Sequence, residues 1–242
     1  NVPFIQRSTT YQKGGAGGSA AIVGEAEVTR DPKLGDVNLG MSYQLLREGP
    51  RNPDIVWNLS LTGPSGEHPY GVPTVDVPTN DPDDTEGVMQ VPSELPTGSG
   101  VWTASTGASF VRTLDPAIIF ANIAYSYTRQ ESFSDIQSVE ENQPGDVDLG
   151  DTWQFGVGIA FAFNDRLSMN MSYSQALTSV SKTRNKGEDW IDIVGSKSNA
   201  ATLGVGVTYA MTKHLAMVTS MGAGLTADAP DVTFSVKFPY MF

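Results

Sequence analysis

Only two histidines occur among the 242 residues and there is no cysteine, so the side chains most used for nucleophilic and metal chemistry are scarce. His68 lies in "GEHPYG", upstream of the acidic run "NDPDD" at 80–84 and Glu86. A histidine facing paired aspartates at a barrel rim could activate water for peptide hydrolysis, the chemistry of an outer-rim protease. A general base, however, must reach the proton it takes. Here the histidine and the acids share one proline-rich stretch, and no G-x-S-x-G elbow supplies a nucleophile. His214, in "TKH" beside Lys213, reads as a solvated turn residue. "NDPDD" could hold Ca²⁺ loosely but lacks the D-x-D-x-D-G…E spacing of a calcium loop. "GGAGG" at 14–18 has no lysine-bearing helix to cradle a phosphate. No catalytic residue, metal site or cofactor is expected, and the function reads as non-enzymatic.

The elements that would position any site are therefore the better guide. Without cysteine, neither a disulfide framework nor a thiolate site is available. The formal charge of −12 is local. Residues 64–99 carry seven carboxylates and residues 131–151 carry seven more, with no Lys or Arg in either stretch. The rest of the chain sums to about +2. With no basic stripe to meet phosphates, nucleic acid is not an expected partner. No run of 18 apolar residues exists, which excludes a spanning helix and leaves a closed sheet as the other way to satisfy backbone groups in lipid.

Apolar and polar side chains alternate along most of the chain, the mark of strands with two unlike faces. Ten strand candidates emerge, near 2–12, 36–47, 54–63, 101–113, 117–129, 152–163, 167–179, 199–211, 215–226 and 231–242. Most are long enough to cross a bilayer, which takes roughly 9–11 residues. Short turns alternate with the long connections 13–35, 64–99, 130–151 and 180–198, and only the short "DAPD" breaks the rule. Outer-membrane barrels alternate periplasmic turns and extracellular loops in this way. The fold class expected is all-β, one antiparallel transmembrane β-barrel over 1–242.

Two levels of aromatic residues follow from that phase. Tyr43, Phe110, Phe161, Phe163, Tyr209, Tyr240 and Phe242 fall at the inner interface, and Trp153 and Tyr173 at the outer one. Amphipathic rings favour headgroup depth, so such girdles are expected. The polar positions alternate with the apolar ones, and Asn38, Ser42, Asn58, Ser60, Thr62, Gln154, Ser168, Asn170, Ser172, Thr208, Ser235 and Lys237 become candidate pore-lining residues. Small side chains there leave space for water. The terminal "DVTFSVKFPYMF" alternates to its end, as expected of a strand that pairs with the first and presents its apolar side to lipid.

The phrases "KLGDVNLGMSYQLL", "LPTGSGVW", "LGDTWQFGVGIAFAFNDRLSMNMSYSQ" and "GLTADAPDVTFSVKFPYMF" resemble an outer-membrane family named for a meta-pathway of phenol degradation. That group includes the pore that secretes functional amyloid in the Fap system. The resemblance implies twelve strands in the intact barrel, with ten in this chain and upstream strands before Asn1. It implies a channel in a Gram-negative outer membrane, exporting amyloid subunits or taking up small, aromatic solutes. The terminal aromatic strand resembles the signal read by the outer-membrane assembly machinery. Lipid and lipopolysaccharide are expected partners, and a homotrimer is a further expectation from the resemblance. An adhesive barrel, working through its acidic loops, is the remaining reading.

Overall fold

The computed structural model describes residues 1–14, 22–79, 88–137 and 142–240. Strands are its only regular elements among these residues, as alternation of β-branched or aromatic residues with Gly, Ser, Thr and Asn dictates. In chain order they are β1 (Phe4–Gly14), β2 (Ile22–Leu34), β3 (Val37–Leu46), β4 (Asp54–Gly63), β5 (Thr74–Pro78) and β6 (Val88–Pro92). Then come β7 (Thr103–Leu114), β8 (Ala117–Thr128), β9 (Glu131–Phe133), β10 (Gly145–Asp148), β11 (Thr152–Ala162) and β12 (Leu167–Thr178). The last five are β13 (Lys182–Asn185), β14 (Ile191–Asp192), β15 (Ser198–Ala210), β16 (Ala216–Gly224) and β17 (Val232–Lys237).

Nine of these form one antiparallel sheet in the order β17-β16-β15-β12-β11-β8-β7-β4-β3. Each long strand pairs with its nearest long neighbours in sequence, so the sheet is an up-and-down meander. The connections β3–β4, β7–β8, β11–β12 and β15–β16 are tight and lie at one end, the turn end. At the other end, the loop end, three connections are long and carry strands of their own, and the fourth, between β16 and β17, is short. β5 and β6 form a hairpin between β4 and β7, while β9, β10, β13 and β14 join two successive loops into one four-stranded sheet. The alternation of short and long connections is as the sequence predicts.

The start of the chain differs from expectation. The candidate strand 2–12 does not join the large sheet; as β1 it pairs with β2 over almost its whole length. The span 13–35, expected as a loop, contains the thirteen residues of β2. The reason is visible in β1: Gln6, Arg7, Ser8, Thr9, Thr10, Gln12 and Lys13 put polar groups on both faces, leaving no apolar row for hydrocarbon. Its partner answers in kind, with Ser8 donating to Glu27 at 2.8 Å. The large sheet thus has nine strands rather than ten. Among the described residues β17 pairs with β16, β3 with β4, and no ladder joins the two edges.

The dry core is not in the large sheet. Val28, Val91 and Leu95 are buried together, with Tyr11, Ala26, Val77 and Met89 packed around them, where the β1–β2 hairpin meets β5 and β6 at the loop end. Val101 and Val147 are also buried there.

Candidate functional site

Cross-strand register decides which side chains share a face. One continuous row across the large sheet reads Gly40, Ser60, Ser105, Ser126, Thr152, Thr178 and Ser198. Another, nearer the turn end, reads Gln44, Val56, Ser109, Asn122, Gly156, Ser174 and Thr202. Followed strand by strand, the pairing puts all twelve polar candidates, from Asn38 to Lys237, on this one face. Their side chains bridge strands. Asn38 donates to Thr62 at 2.8 Å, and Ser42 donates to Asn58, which in turn donates to Ser109 at 3.2 Å. The hydroxyls of Ser105 and Ser126 meet at 2.7 Å and those of Ser220 and Ser235 at 2.8 Å. Glycines give the longer groups room: a Cβ at Gly206 would collide with Asn170 Oδ1. Over β3, β4, β7 and β8 the same face holds a hollow of about 320 Å³ rimmed by Ser42, Asn58, Ser60, Ser105, Ser109 and Asn122. Hydroxyls and amides at this density can exchange hydrogen bonds with a passing polar group, and the charges on this face, Asp54 and Lys237, stand towards the turn end.

The opposite face is apolar and bare. One row runs Ile119, Ile159, Met171, Val205, Met221 and Phe234, with Phe234 69 % exposed and Val205 39 %. A patch this wide is an aggregation liability in water and the ordinary covering of a strand wall in lipid. Tyr43, Phe110, Phe161, Phe163, Tyr209 and Tyr240 lie towards the turn end, and Trp153 at the loop end. Tyr173 stands nearer the middle of β12, its hydroxyl donating to Gln175 at 2.7 Å. Phe242 lies outside the described residues.

The family described as "Putative MetA-pathway of phenol degradation" matches residues 6–242. The chain belongs to this family. The fold is similar to that in the crystal structure of an outer membrane channel from Pseudomonas putida F1, with a TM-score of 0.54 at 12% identity over 88% of this chain and 71% of that one.

Two family phrases quoted above share a tripeptide whose role the sequence reading missed. Leu34-Gly35-Asp36 and Leu149-Gly150-Asp151 each stand immediately before a long strand, at the loop end. Asp36 accepts from the Gly66 N–H at 3.0 Å, the Ser99 N–H at 2.7 Å and the Ser99 hydroxyl at 2.9 Å. Asp151 accepts from the Thr128 N–H at 3.0 Å and the Tyr125 hydroxyl at 2.5 Å. Each aspartate braces the wall against a loop, and the repeat itself was the signal. "LPTGSG" belongs to the same brace: Thr97 donates to Leu34 O and accepts from the Glu67 N–H. Behind it Arg30, its side chain 5% exposed, pairs with Glu67 and Glu94 and donates to Leu95 O.

His68 joins no catalytic pair in this family member's described residues. Its ring packs 4.8 Å from Phe133 and 6.0 Å from Tyr70, tying two loops together, and burial pushes the Tyr70 phenol up. The run at 80–84 with Glu86 lies outside the described residues. His214 sits in the β15–β16 turn, 6.1 Å from the Tyr240 ring. In the four-stranded loop sheet, Asp146 accepts from Ser132 at 2.5 Å and Arg184 at 2.7 Å. Those bonds, the Ser132 one first, hold its carboxyl below the usual carboxylate range.

Proposed function

We propose that this chain forms the wall of a non-enzymatic outer-membrane channel, its polar face turned to a water-filled lumen and its apolar face to lipid. The observation that carries the reading is the segregation of faces: every polar candidate shares one side through register, while the apolar rows opposite have no protein cover. The family membership and the likeness to a bacterial outer membrane channel support it. Free edges in hydrocarbon would leave backbone groups unpaired, at several kcal/mol each, so the working wall is closed. Among the described residues the two edges of the nine-stranded sheet are not joined by a ladder. Asn1 exchanges backbone hydrogen bonds with Asn38 at 2.6 and 3.0 Å, at the start of β3.

A lining of hydroxyls, amides and glycines suits hydrophilic solutes or an extended polar polypeptide, the amyloid-export reading, better than a greasy cargo. Carboxylates crowd the loop end, so cations are favoured at that mouth, over a range of roughly 8–10 Å at ordinary salt. Planar-bilayer recording of the purified protein tests this. Discrete current steps with a reversal potential favouring cations are expected, and that preference should shrink as salt is raised. An inserted barrel that carries no current would end the channel reading.

A further inference from the structure

The polar face of the nine strands bears one aromatic side chain. Register places Phe120 there: it pairs with Val111 on β7 and Gly158 on β11, and the row continues through Ser172, Gly204, Gly222 and Thr233. Its neighbours along the strand, Ile119 and Ala121, point to the apolar side. Hydrophobicity alone would put a phenylalanine on that apolar side, where a ring of this size costs least, but the period of two along β8 puts it on the polar one. There the ring extends sideways over Gly158, where an added Cβ would collide with its Cζ and Cε2. The glycine thus leaves a seat in which the ring lies against the wall. On the β11 side the row offers a serine hydroxyl, two glycines and a threonine; on the β7 side it offers the shorter Val111, so Phe120 is the largest apolar side chain at this level.

We propose that Phe120 is the specificity-determining residue of the channel, the one aromatic contact that a cargo meets on a wall of hydrogen-bonding groups, glycines and a few aliphatic side chains such as Val56, Val111, Ile118 and Val218, and that Gly158 sets how far its ring stands into the lumen. This rests on the channel reading. A ring seated over glycine favours cargo that carries apolar or aromatic side chains on a polar backbone, which can touch the ring and then move on along hydroxyls. The same ring narrows the path for hydrated ions. A purely structural role, in which the phenyl group only covers the exposed backbone of Gly158, makes a different forecast: stability changes and transport does not.

Unitary conductance of the intact protein in planar bilayers separates the two. Phe120→Ala should raise conductance by roughly 1.5-fold and Phe120→Trp should lower it, because pore width controls flux. Ile119→Ala, one residue along and on the other face, should leave it unchanged. Phe120→Leu keeps an apolar cover on Gly158 and serves if the alanine variant fails to assemble; it should conduct more than wild type. A conducting wild type whose current ignores all three Phe120 variants overturns this inference and spares the channel reading. A silent wild type overturns both.

Discussion

Asp151 carries two bonds that no neighbour can replace: the Thr128 N–H and the Tyr125 hydroxyl both end on its carboxylate. Replacing it with alanine strands those donors, and hydrogen bonds to a charged acceptor are each worth about 1.5–3 kcal/mol. Asp151→Ala should therefore lower the midpoint of denaturant unfolding in vesicles, whereas Asp151→Asn, which can still accept, should lose less. Asp146 responds to pH instead. Its carboxyl is held below the ordinary 3.8 by Ser132 and Arg184, so the charged form favours the folded loop sheet. That contribution is complete above the ordinary value and is lost as pH falls through the lowered one. Amide exchange in β9, β10 and β13 should accelerate on acidification through that window, and Asp146→Asn should remove the pH dependence. Exchange that is equally acid-sensitive in both proteins would show that another group is responsible.

At the scale of elements, the loop end depends on backbone shapes that side chains forbid. Gly150 has φ of +74°, and a Cβ there would lie 2.6 Å from Ser179 O. Left-handed backbone costs a residue with a Cβ about 1–2 kcal/mol before any collision is counted. Gly150→Ala should loosen the junction between β11 and the preceding loop, seen as faster limited proteolysis of residues 129–151 with the long strands intact. Cleavage at the wild-type rate would mean the junction tolerates a side chain. The β1–β2 hairpin teaches a related lesson. Strand character in 2–12 was readable from its residue types, but its destination was set by what it lacks. A strand polar on both sides has nothing to offer lipid, so it pairs with β2, whose Glu25 and Glu27 meet its polar groups, and caps Val28, Val91 and Leu95 with Tyr11.

For the whole molecule, the two faces of the wall should respond oppositely to the same substitution. Val205→Arg sets a charge on the bare apolar face, where such changes cost about 2–4 kcal/mol at mid-membrane depth. Ser172→Arg, one strand away and on the polar face between Gly158 and Gly204, has space and water and should cost far less. Folding yield into vesicles measures both, and equal losses would mean that the faces are not divided between lipid and lumen.

Sequence alone determined the faces, the approximate extent of most wall strands and the alternation of turns with long connections, because side chains on a strand alternate with period two and hydrophobicity reports each residue's surroundings locally. It also carried the family phrases. The last strand, read as 231–242, runs only over Val232–Lys237. Tertiary structure decided the rest: that β1 leaves the wall for β2, that two Leu-Gly-Asp aspartates brace the loops, and that the Phe120 ring lies over Gly158. Each of these depends on what a neighbouring strand supplies (a polar partner, an unpaired N–H, a missing Cβ), and alternation along one strand contains no record of the strand beside it.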